Sequence, residues 1–153
     1  MIYVVGIDPG PTTGIAGLWI VGGELLRLDV VQCNDGALMR VLKGLWLEGP
    51  GRIVAERFVV GPRAGRSRTP KAGQVARAQL TLVAEWARTH GVPYDERTAV
   101  QVKAWAGHAR MDAAGLLVPT TSMNHARDAA RHALFHAVEV QLLPDPLSKR
   151  GVA

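Results

Sequence analysis

Cysteine is almost absent from this chain: Cys33 is the single one in 153 residues. An internal disulfide is therefore excluded, and a reducing compartment is the natural setting. No stretch approaches the ~20 uninterrupted apolar residues that a membrane helix needs. The first residues run straight into a strand pattern without a basic-then-apolar leader, so the expected location is the cytoplasm, with no membrane partner. Repeats and low-complexity tracts are also lacking. Together with an apolar fraction of 48%, that excludes disordered and collagen-like classes. Acids are in the minority, 13 against 18 Lys and Arg, which leaves a formal charge of +5 and a pI near 10. This balance favours an anionic partner, nucleic acid foremost. The length predicts one domain over 1–153.

What is present begins with "VVGIDPGPTTGIAGL" at 4–18. Val4, Val5 and Ile7 suit a strand, Gly10 and Gly14 mark a tight turn, and Ile15 to Ile20 suit a second strand returning antiparallel. The turn "VGGE" leads to a third strand near Leu25–Gln32, and a short amphipathic helix follows at about Gly36–Leu47. "RIVAE", Arg52 to Glu56, is a fourth strand bounded by "EGPG". The loop "VGPRAGRSRTPKAG" leads to a helix at about Gln74–His90. "VPYDER" supplies a fifth strand, "TAVQVKAWAG" a short helix, and "HARDAARHALFHAVEVQLL" a closing helix that stops before Pro144. Three hairpin-linked strands followed by alternating helices and strands predict an α/β fold. Its five-stranded mixed sheet, antiparallel then parallel, is flanked by helices.

Two strands in this pattern end on an acid. Asp8 closes "VVGID" and Glu56 closes "RIVAE". A helical crossover lays such strands parallel, and adjacent strands sit ~4.8 Å apart, so the carboxylates could share a cation. For either acid alone the alternative is an exposed strand end answering Arg52 or Arg57. In "SMNHARDAARHALFHA", His125 and Asp128 are three apart at a helix start and face one way, with Ser122 or Asn124 available as cap. Ala126, Ala130, Ala133, Leu134, Ala137 and Val138 form a small apolar face behind them, suited to close packing on a sheet. Asp128 alone could serve the helix dipole. Taken together, the three acids suit a site for hard cations above the carboxyl edge of a sheet.

"GIDPGPTTG", "IVAE", "KAGQVARAQ", "QVKAW" and "HARDA", in that order along nearly the whole chain, resemble the RuvC-type Holliday junction resolvases of the RNase H-like superfamily. The resemblance implies metal-binding acids at Asp8, Glu56 and Asp128. It puts His125 at a fourth site position, where many relatives carry Asp, and Lys103 at a basic position that contacts the scissile region. It implies a homodimer whose two sites cut opposite strands of a four-way junction, with the Gln74–His90 helix in the interface. By analogy it extends to short resolvases of bacterial viruses. Phosphodiester hydrolysis suits the same acids, since two Mg²⁺ about 3.5–4 Å apart can activate water and stabilise the leaving oxygen. An imidazole widens the choice toward Mn²⁺. No small-molecule cofactor is expected.

Between Arg57 and Ala84 stand six basic residues, Arg57, Arg63, Arg66, Arg68, Lys71 and Arg77, and no acid. The run can grip phosphates beside Glu56 or be a solvated loop. Phe58 could wedge against an exposed base or belong to the core. His132 and His136 are expected as surface or packing residues, the four Trp and Cys33 as core, with Trp105 the open case, and Asp95 and Asp112 as spare acids. Only 21 residues separate Lys103 from His125, fewer than relatives usually have, and a second family lysine has Arg110 as its nearest substitute. Flaps, forks and other branched DNA therefore stand beside four-way junctions as substrates. Two other classes compete: a phosphate-binding kinase or ATPase, which needs two lobes where this length offers one, and a non-catalytic nucleic-acid-binding module, which need not keep all three acids and His125.

Overall fold

The computed structural model describes residues 1–46, 51–59 and 70–148. Apolar residues on both sides of the pleat build the first strands. β1 (Ile2–Asp8) and β2 (Thr12–Val21) form a hairpin in which Ile2 lies opposite Ile20 and Asp8 opposite Gly14. β3 (Glu24–Asn34) adds antiparallel to β2 at the sheet edge, where its residues are half-buried or exposed. After a 3₁₀ turn come α1 (Leu38–Trp46) and β4 (Gly51–Arg57), which pairs parallel with β1. The next elements are α2 (Pro70–Thr89) and β5 (Tyr94–Thr98), the latter parallel to β4. α3 (Ala99–Trp105), α4 (His108–Ala113) and α5 (Asn124–Glu139) complete the chain. The sheet runs β3-β2-β1-β4-β5, so the predicted α/β architecture is borne out.

Helices cover both faces, which is why β1 is buried at nearly every position. On one face Tyr3, Val5, Ile7, Ile15, Trp19 and Ile53 meet α1 and α2 through Leu38, Leu42, Leu80 and Val83. On the other, Val4, Ala16, Leu18 and Val54 meet α3, α4 and the alanine stripe of α5. Gly6 and Gly14 set the spacing on that second face. A Cβ at Gly6 would collide with the Ala129 carbonyl, and one at Gly14 with the carbonyl of His125. The α5 backbone therefore rests directly on β1 and β2, and it runs antiparallel to β1.

Three details depart from the sequence expectations. α4 was not foreseen, since six residues are too few to show a period. α5 stops at Glu139 rather than running to Leu143. Gln141 turns left-handed (φ 61), and the N–H groups of Leu142 and Gln141 donate to the carbonyls of Ala137 (2.8 Å) and Val138 (3.0 Å), a Schellman closure. The cap residue of α5 is Met123, with no side-chain cap. Gln32 of β3 takes that role: its Oε1 accepts from the His125 N–H at 3.1 Å. Among the described residues no helix is long and apolar enough to cross a membrane.

Candidate active site

The two-residue period of the strands decides where the acids point. Asp8 follows Val4 and Gly6 on the face of β1 that meets α5, and Glu56 follows Val54 on the same face of β4. β1 and β4 are parallel neighbours with Ile7 opposite Ala55, so Asp8 and Glu56 end adjacent strands at one edge. The start of α5 lies over that edge and covers both: Asp8 is 5% exposed and Glu56 3%. Neither is the exposed strand-end acid of the alternative, and Arg57 instead approaches Glu96 at 3.5 Å.

The acids at this edge act on one another. Burial, then the Glu56 carboxylate, pushes the Asp8 pKa up to about 6, with a smaller push from Asp128; the hydrogen bond and charge of His125 oppose them. His125 Nδ1–H donates to Asp8 Oδ2 at 2.7 Å. With a neutral imidazole that bond would put the proton on Nδ1 and the lone pair on Nε2. Asp128 stands between two cations: Lys103 Nζ lies 2.7 Å from Oδ2, and Arg131 Nη1 donates to Oδ1. Lys103 is thus brought to the acids. Arg110 is not: its guanidinium grips Asp145 at 2.9–3.2 Å and lies over Trp105, 4.6 Å from the ring centre.

Two residues at the site escaped the sequence reading. His132 and His136 are buried, at 0% and 1% exposure, so neither is a helix-surface residue. His132 Nε2 lies 3.4 Å from Glu56 Oε2. Its signal in the sequence is only its place one turn after Asp128, on the same helix face. The second is Gln79 of α2, 4% exposed. Its Oε1 accepts from the Gly10 N–H (2.7 Å), and its Nε2 donates to Thr13 Oγ1 (2.9 Å) and the Gly10 carbonyl (3.2 Å). Gln79 thereby ties α2 to the turn that follows Asp8.

Of the basic run, Lys71 and Arg77 are exposed on α2, while Arg63, Arg66 and Arg68 lie outside the described residues. Phe58 is half-buried against the α1/α2 core, with the Arg77 guanidinium 5.4 Å from its ring centre. Trp105 meets Phe135 edge-on at 5.4 Å, which makes it a packing residue. Cys33, on the edge strand, is half-buried rather than in the core. Asp95 lies 3.5 Å from Arg97, and Asp112 is exposed away from the site.

Three carboxylates and an imidazole nitrogen form a donor set that fits a hard divalent cation. Burial and the Glu56 carboxylate together raise Asp8, and a bound cation would offset both. Among the described residues no three His, Cys, Asp or Glu side chains already stand close enough to hold an ion.

The strand order and directions, with acids at the ends of β1 and β4 under the last helix, define an RNase H-like α/β protein. Within that class the fold is that of RuvC. RuvC of Thermus thermophilus in complex with a Holliday junction substrate matches with a TM-score of 0.68 and 23% identity over 93% of this chain and 96% of that one. A second Thermus thermophilus RuvC structure matches with a TM-score of 0.64 and 25% identity, over 92% and 96%. The resemblance read from the sequence is thus borne out at the level of the fold. No family model matches the sequence, and no curated protein does.

Proposed function

We propose that the chain is a divalent-metal-dependent endonuclease that resolves four-way DNA junctions by paired phosphodiester hydrolysis. The observation that carries this reading is the burial of Asp8 and Glu56 at the ends of adjacent parallel strands, with His125 hydrogen-bonded to Asp8, on the fold of a protein solved with a Holliday junction. Asp8, Glu56 and Asp128 would hold two Mg²⁺, or Mn²⁺ in their place, with Asp8 shared between them. The ions would supply activation of water and stabilisation of the leaving oxygen.

The protein's own groups do the rest. His125 is anchored through Nδ1 on Asp8 and 46% exposed, so its Nε2 can complete the second site or move a proton. Lys103, 2.7 Å from Asp128 Oδ2, would meet a phosphate. Lys71 and Arg77, with Arg63, Arg66 and Arg68, would draw the backbone of branched DNA toward the edge, and Phe58 would stack at the opened base. The outward side of α2, where Leu82 is 56% exposed, would face a second copy, placing two sites on opposite strands.

The test is cleavage of a labelled synthetic four-way junction in Mg²⁺ and in Mn²⁺, beside flap, fork and linear duplex. Paired symmetric nicks are expected in the junction alone, with a loss of at least about a thousandfold in Asp8→Asn. Equal cutting of flaps and forks would make it a general branched-DNA nuclease. Full cleavage by Asp8→Asn, or binding without cleavage in either metal, would overturn the reading.

A further inference from the structure

We infer that His132 is a positioning residue for Glu56, holding its carboxylate in the orientation that the cation site requires. This rests on the nuclease reading above and names a residue that reading does not use.

The argument begins with the helix. α5 delivers a histidine to each buried acid: His125 to Asp8 on β1, and His132, two turns further along, to Glu56 on β4. The two differ in surroundings. The His125 ring is partly exposed, whereas the His132 side chain is wholly buried among the alanines of α5. Among the described residues no group hydrogen-bonds either nitrogen of His132, so the carboxylate at 3.4 Å is the polar group it addresses. A buried imidazole without a partner carries an uncompensated desolvation cost, and a leucine would fill that volume without it. The position therefore makes sense through Glu56.

His132 meets an acid whose orientation matters. The Glu56 side chain has more freedom than that of Asp8, and the neighbouring Asp8 carboxylate repels it away from the edge. His132 approaches from the protein side, its Nε2 3.4 Å from Oε2 with no hydrogen bond joining the two, and an Nε2–H donated to Oε2 would hold the carboxylate plane turned toward the edge. Residues that orient metal-binding carboxylates in this way typically set affinity rather than chemistry.

The experiment measures Mn²⁺ affinity of the full chain by calorimetry and by loss of the free-ion paramagnetic resonance signal, alongside thermal melting and metal-free junction binding. His132→Leu is expected to weaken Mn²⁺ binding about ten- to a hundredfold, with junction binding unchanged and the melting temperature equal or higher. The amide nitrogen of Gln overlays imidazole Nε2, and that of Asn overlays Nδ1. His132→Gln should therefore recover the affinity and His132→Asn should not. If His132→Leu does not fold, the Gln and Asn pair decides the matter alone. Parental affinity in His132→Leu, or equal losses in Gln and Asn, would overturn the role of His132 while leaving the nuclease reading intact. A parental protein that binds no Mn²⁺ would remove both.

Discussion

Under α5 the sheet presents Gly6, Gly14 and Ala16, and the helix answers with Ala126, Ala129, Ala130 and Ala133. Under α1 and α2 it presents Tyr3, Ile7, Ile15 and Trp19, and the helices answer with leucines and Trp86. On the first face backbone meets backbone; on the second, side chains fill the gap, and the Tyr3 ring, stacked on Trp19 at 4.2 Å, reaches across Gly17. A helix seated on backbone has little room to shift, so it can hold His125, Asp128 and His132 against two strand-end acids. A helix seated on side chains can settle in several ways, and α2 needs a polar clamp to fix it. The proposed site stands on the face where backbone packs on backbone.

The sharpest test adds one methyl group to each face. In Gly6→Ala the new Cβ meets the Ala129 carbonyl, which cannot yield without moving α5 off β1. A loss of at least about 3 kcal/mol, or failure to fold, is expected in denaturant titration. In Gly73→Ala on α2 the nearest atom is the far end of the Phe58 ring, 2.7 Å away, which can swing. The helix-propensity gain of about 1 kcal/mol should roughly offset the strain there. Equal losses at both positions would break the distinction between the faces.

The clamp comes next in size. Gln79→Leu removes the bonds to Gly10 and Thr13 and leaves the Gly10 N–H buried, which should cost about 1–3 kcal/mol in urea unfolding. Combined with Thr13→Val, the two losses should fall short of additive, because they share one hydrogen bond. A neutral Gln79→Leu would mean that apolar packing alone seats α2.

The two faces were also unequally legible in the sequence. Apolar runs bounded by turn residues gave the five strands, and their hairpin or helical connections gave the antiparallel and parallel directions. Asp8, Glu56, His125 and Asp128 could be singled out because each sits where its element's period breaks. His132 and Gln79 could not, since their role depends on what their helices meet across space, Glu56 in one case and the Gly10–Thr13 turn in the other. An imidazole on an alanine-rich stripe reads as packing until the opposing strand is known. The cap of α5 was hidden likewise, because Gln32 lies 93 residues away in sequence.

The smallest effect belongs to His136, the second histidine that α5 buries. Burial lowers its pKa below the usual 6.5. Asp95 and Glu139 favour its charged form, Arg97 and Arg52 oppose it, and burial outweighs the acids. The unfolded chain therefore takes up a proton at this position before the folded chain does. The stability His136 contributes is full above pH 6.5 and falls as the pH drops below it. Relative to the parental protein, His136→Leu should gain under about 1 kcal/mol between pH 7 and pH 6. Asp8, raised to about 6 by burial, slopes the other way but is common to both proteins and cancels in the difference. Parallel pH curves for His136→Leu and the parental chain would show that α5 accommodates the imidazolium, and that its face of the sheet is less rigid than its glycines imply.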